Sequence, residues 1–157
     1  MRSFVLGLLV LALIPACEKG TTPSPVTTLE VKAAVDSLWA GYAHASDLRD
    51  GPAFGALFVE DATLVYSGAP TARGREAIQA FLLSRYGDID PTGLRIEPDE
   101  TRVSGRIAVQ SGAFQESFLE QGRIDRTTYG RFVLVAEQGK DRAWKIRQLV
   151  TITDVTR

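Results

Sequence analysis

The sequence predicts a single α+β domain, cone-shaped, with about three N-terminal helices packed on a strongly curved mixed or antiparallel sheet. Three observations predict it. Apolar residues recur at helical spacing through the first part of the chain, whereas from Gly93 onward turn-forming breaks separate β-branched and apolar runs. Helices followed by a run of strands is the α+β order. The length of 157 residues suits one core, and an apolar fraction of 45% with 24% charged residues is that of a folding globular chain.

The first helix starts where Thr27 and Glu30 have the Thr-x-x-Glu spacing of a capping box. Val31, Val35, Leu38, Trp39 and Tyr42 then form one stripe, which predicts a helix to about Leu48. Asp50-Gly51-Pro52 breaks it and opens a short second helix whose buried face is Phe54, Leu57 and Phe58. Ala62 to Ser67 reads as a strand, and a loop follows. A third helix then runs from Gly74 to Gly87, with Ile78, Phe81, Leu82 and Tyr86 on one face. Breaks at Ser104-Gly105, Gln121-Gly122 and Gly139-Lys140-Asp141 divide the remainder into strands. In the last one, Trp144, Ile146, Gln148, Val150 and Ile152 alternate with Lys145, Arg147, Leu149, Thr151 and Thr153, predicting that the first set faces the helices.

Ahead of the domain, Arg2 precedes an apolar run from Phe4 to Ile14 and then Pro15-Ala16-Cys17, the charged, apolar and small-residue order of a secretory leader. Eleven apolar residues rise about 16 Å as a helix, roughly half a hydrocarbon core, so the run is too short to span a bilayer. Residues 18–28, rich in Thr, Pro and Ser, read as a tether. The expected organisation is a leader over 1–16, a lipidated cysteine and tether over 17–28, and a folded domain over 29–155. Ile14-Pro15-Ala16-Cys17 resembles the lipobox of bacterial lipoproteins, which implies acylation of Cys17 and anchoring to the cell envelope. By the same resemblance Glu18, rather than Asp, after the cysteine implies the outer membrane, facing the periplasm.

The net charge of -1, without a basic patch, argues against nucleic acid as a partner. One histidine and one cysteine leave no nitrogen and sulfur ligand cluster, so no metal and no cofactor is expected.

The ordered set of Trp39 and Tyr42 on the first helix, Ala56-Leu57-Phe58-x-x-Asp61-Ala62-Thr63, and Gly74-Arg75-Glu76-Ala77-Ile78-x-x-Phe81 resembles the nuclear transport factor 2-like superfamily. Gly130-Arg131-Phe132 and Trp144-Lys145-Ile146 are similar to its SnoaL-like and domain of unknown function 4440 members. The resemblance extends over Leu29 to Asp154 and implies an apolar pocket and a homodimer paired through the open sheet face. It does not imply one activity, because the superfamily holds isomerases, dehydratases, cyclases and non-catalytic binding modules. In its ketosteroid isomerase branch a tyrosine on the first helix donates to an enolate, and Tyr42 stands at the matching place. The position of that branch's general base is held by Tyr66, a poor proton acceptor at neutral pH.

Candidate pocket residues are therefore Tyr42, Tyr66, Trp39, Trp144, Gln148, Tyr129 and Arg131. Tyr42 and Tyr66 could pair hydroxyls around a ligand, or be core aromatics whose hydroxyls reach backbone. Gln148, a buried amide on the predicted inner face, needs partners for donor and acceptor alike and could orient a ligand or satisfy Tyr42. Arg131, on one face with Tyr129, could bind a carboxylate at the pocket mouth or pair with surface acids. His44 lies about 200° around the helix from Tyr42 and is expected in solvent. Arg73 and Arg75 flank a helix start and suggest an anion site or a solvated surface. The readings that remain open are a binder of a small apolar molecule or partner, an enzyme of the SnoaL or dehydratase kind, and a structural dimerisation module.

Overall fold

The computed structural model describes residues 27–86, 90–120 and 123–156. The leader, Cys17 and almost all of the tether lie outside the described residues. Helix α1 (Thr28–Asp47) begins as its sequence predicts: the Thr27 hydroxyl accepts from the Glu30 amide at 3.2 Å, and the Glu30 carboxylate accepts from the Thr27 amide at 2.8 Å. Arg49, at φ 53, ends it in the left-handed region. Asp50 then caps α2 (Gly51–Ala56), accepting from the Ala53 amide at 2.9 Å.

Strand β1 (Phe58–Tyr66) starts earlier than Ala62, so Phe58 is the first residue of a strand and not part of the face of α2. The stretch read as a loop contains a short strand, β2 (Ala72–Arg73), before α3 (Arg75–Tyr86). The four remaining strands are long: β3 (Asp90–Ser104), β4 (Ile107–Glu120), β5 (Arg123–Gln138) and β6 (Trp144–Thr156). The sheet order is β2-β1-β6-β5-β4-β3. All neighbours are antiparallel except β1 and β6, which run parallel with Leu64 opposite Leu149. The strands after α3 form a meander, and its last member crosses back beside the first strand of the chain.

The sheet curls around α1, which packs on β3, β4 and β6, while α3 packs on α2, β1 and β2. An aromatic row from Phe132 through Trp39, Tyr42 and Phe54 to Phe58, with centroids 4.6 to 5.6 Å apart, fills the space between α1 and the sheet. Bulges leave Asp99 in β3 and Asp154 in β6 unpaired. Each stands next to a glycine of the neighbouring strand. A Cβ on Gly112 would lie 2.2 Å from the Glu97 carbonyl, and one on Gly130 would lie 2.2 Å from the Ile152 carbonyl, so only glycine permits this approach. Among the described residues no helix is long and apolar enough to cross a membrane.

A third bulge corrects the expected face of the last strand. Ala136 pairs with Ile146 but Val135 pairs with Gln148, so Arg147 is the extra residue and the alternation changes phase there. Trp144 and Ile146 pack toward the core as predicted, but beyond the bulge Leu149 and Thr151 are buried while Gln148 and Ile152 are exposed. An unbroken period of two cannot anticipate an inserted residue.

Leu149→Ala is expected to cost about 2–5 kcal/mol by emptying a core site, whereas Gln148→Ala should change stability by less than about 0.5 kcal/mol. Denaturant midpoints at unchanged slope measure both, and the opposite order would put Gln148 back on the inner face.

Candidate functional site

Several elements end close together at one end of the curled sheet. Tyr66 is the last residue of β1, Arg85 lies in the last turn of α3, and Glu116 and Phe118 stand late in β4. Arg85 donates to both carboxylate oxygens of Glu116, Nη2 to Oε2 at 2.6 Å and Nη1 to Oε1 at 3.4 Å, and its Nη2 also donates to the Tyr66 hydroxyl. The guanidinium carbon sits 3.9 Å from the centroid of the Tyr66 ring. The Arg85 and Glu116 side chains are only 11% and 5% exposed. Desolvation of two such charges consumes much of what their attraction supplies, so an apolar pair would hold the fold as well or better. A buried ion pair at this place needs a reason other than stability.

The cluster separates two spaces. Inward, Trp39, Tyr42, Tyr66, Phe114 and Glu116 close on a void of about 10 Å³, which holds one water at most. Outward, a cavity of about 290 Å³ is lined by Tyr66, Ser67, Arg85, Phe118, Arg126, Thr128 and Thr153. The inner space is filled by side chains; the outer one can take a small molecule. Burial pushes the Tyr42 and Tyr66 phenols above the ordinary tyrosine range, and at Tyr66 the Arg85 charge opposes this. Both are therefore hydroxyl donors at neutral pH and not bases.

Of the residues singled out from sequence, Trp39, Tyr42 and Tyr66 line the inner void, and Trp144 is half-buried against the core. Gln148, Tyr129 and Arg131 are on the outer face of the sheet. Arg131 is paired with Asp99 at 3.3 Å and lines, with Tyr129 and Gln115, a separate pocket of about 450 Å³ on that face. The buried amide is Gln110 in β4: its Oε1 accepts from Trp39 Nε1 at 2.7 Å and its Nε2 donates to Thr101 at 3.1 Å. His44 is exposed as expected. Arg75 is tied to the Phe58 carbonyl at 3.1 Å and to Glu60 at 2.7 Å, and Arg73 is exposed, so this pair does not converge on an anion. Among the described residues no group of His, Cys, Asp and Glu could hold a metal ion.

Arg85, Glu116 and Arg126 were not anticipated, although two of them left a trace in the sequence. Ala108, Gln110, Phe114, Glu116 and Phe118 share one period-two face, so a carboxylate stands on an inward run. Arg85 continues the helical stripe of Ile78 and Leu82.

The SnoaL-like domain model matches residues 27–150. Solved structures share the fold at low identity. A nuclear transport factor 2-like superfamily protein from Salmonella enterica superposes with a TM-score of 0.71 at 20% identity, over 82% of this chain and 94% of that one. A ketosteroid isomerase-like protein from Erwinia carotovora atroseptica gives 0.67 at 18% identity, over 78% and 95%. A hexachlorocyclohexane dehydrochlorinase gives 0.63 at 19% identity, over 82% and 88%. No curated protein matches the sequence.

Removing one partner of the buried pair, as Arg85→Met or Glu116→Gln, is expected to cost about 3–5 kcal/mol, and Arg85→Met with Glu116→Leu should recover most of it; a double-mutant cycle by chemical denaturation measures the coupling. Because the folded-state pKa of Tyr42 is raised, its contribution to stability is complete below the unfolded value near 10 and is lost as pH rises through the folded value. Tyr42→Phe should therefore flatten the alkaline fall in stability, which denaturation midpoints between neutral and strongly alkaline pH will show.

Proposed function

The chain belongs to the SnoaL-like domain family, and we propose that it is a small-molecule-binding member whose site is the outer cavity, floored by Tyr66 and Arg85 with Glu116 behind them. The observation that carries this reading is the buried ion pair beneath a cavity of ligand size. Tyr66 presents a donor to a ligand oxygen, and Phe118 supplies an apolar wall. Opening the floor would join the outer cavity to the aromatic surface of Trp39 and Tyr42.

A second reading, an acid-base enzyme acting on a small apolar substrate, is favoured by Glu116. It puts a carboxylate, a guanidinium and a phenol within hydrogen-bonding reach of one another, a donor and acceptor set suited to proton transfer. The isomerase-like and dehydrochlorinase neighbours support it only through the shared fold.

The outer sheet face exposes Val109, Tyr129, Val133 and Ile152, and we assign this face to pairing with a second copy of the chain. The domain is held at the periplasmic side of the outer membrane through acylated Cys17, a reading supported by the leader sequence.

Native mass spectrometry of the purified chain, followed by denaturing extraction, is expected to find one retained small molecule per chain that Tyr66→Phe loses; an empty wild-type protein, or a ligand that Tyr66→Phe retains in full, would overturn the binding site. A retained molecule returned chemically altered after incubation, but unaltered with Glu116→Gln, would favour the enzyme. Val133→Asp should convert a dimer to a monomer in sedimentation equilibrium. Cys17→Ser should abolish fatty-acid labelling and release the protein from membranes.

A further inference from the structure

Arg85 spends its fork of N–H groups on Glu116 and Tyr66, but a second guanidinium faces the same cavity with a different disposition. Arg126 of β5 lies with its guanidinium carbon 4.8 Å from the centroid of Phe118, and Arg85 lies 5.6 Å from the same ring. Phe118 is itself buried, so the ring is a fixed platform. A guanidinium resting on an aromatic ring keeps its N–H fork in plane and available to a planar acceptor. Among the described residues Arg126 forms no ion pair.

Among the described residues the cavity is lined by Arg85 and Arg126, and Glu116 stands behind Arg85, which leaves one positive charge in excess. One uncompensated cation in a half-enclosed site balances a monoanion and leaves a dianion under-neutralised. The rest of the wall fits an organic acid: the Ser67 hydroxyl can donate to a carboxylate, and Phe118 can carry an apolar body. A volume of about 290 Å³ limits that body to roughly one ring.

Building on the small-molecule site proposed above, we infer that its ligand class is a small apolar monocarboxylic acid whose carboxylate is bound by Arg126 at the cavity mouth.

The test uses the full chain solubilised in detergent, with benzoate as probe and benzamide as its neutral isostere, titrated by saturation-transfer NMR. Benzoate is expected to bind saturably and roughly tenfold or more tightly than benzamide. Arg126→Gln should bring the two affinities together, Arg126→Lys should keep most of the preference, and inorganic phosphate should not displace benzoate. Equal affinity for benzoate and benzamide, or a preference that survives Arg126→Gln in a protein of unchanged thermal stability, would overturn the carboxylate assignment and leave the cavity as a neutral binding site. Displacement of benzoate by phosphate would reduce the site to one for simple anions. Absence of saturable binding by both probes would remove the cavity reading along with the inference.

Discussion

A mismatch of lengths governs this structure. The twenty residues of α1 rise about 30 Å, whereas the sixteen of β5 would extend for roughly 50 Å if flat. A flat sheet of such strands would leave apolar surface hanging beyond α1, the longest helix among the described residues. The sheet therefore has to curl, and the chain supplies the means. Extra residues at Asp99, Arg147 and Asp154 increase local twist, and Gly112 and Gly130 let neighbouring backbones come close beside two of them. Curling brings the tail of β4 and the head of β5 over the ends of β1 and α3, and Tyr66, Arg85, Glu116, Phe118 and Arg126 meet there.

That meeting has an electrostatic character which the core does not share. Along the aromatic row the interior is dry and filled, and its buried amide, Gln110, is satisfied by Trp39 and Thr101. At the open end the chain keeps a carboxylate and a guanidinium at low exposure, with a phenol whose proton burial retains. Such an arrangement is costly to break one side at a time and gains little as a pair. It makes the floor of the cavity rigid in geometry and strongly polar in field, a combination suited to orienting a ligand rather than to adding stability.

Much of the architecture is legible in the sequence because local signals and tertiary demands agree. The Thr27 and Glu30 cap, the stripe from Val31 to Tyr42 and the breaks between the late strands all appear where the residues place them. What is not legible depends on non-local pairing. Phe58 is drawn into β1 by β6, which it meets opposite Ile146, and the two residues of β2 are a strand only because β1 is beside them. The inward placement of Tyr42 and Tyr66 is legible from pattern and resemblance, whereas the side of Gln148 is not, because one inserted residue inverts it. Glu116 and Arg85 occupy apolar registers that a search for apolar residues passes over. Arg126 gives no pattern at all, since its role comes from a ring on the neighbouring strand.

The parallel pairing of β1 with β6 joins segments more than half the chain apart, Leu64 beside Leu149. Until β6 is in place, β1 has only the two residues of β2 along its edges, and so short a ribbon does not persist in water. The closure entropy of that long loop must be met before its contacts contribute, which puts the domain among slow-folding, high contact-order topologies. Until β6 docks, the N-terminal helices and β1 therefore wait with apolar surface uncovered. Folding of this domain is a single late event, and the C-terminal strand is the segment that commits it.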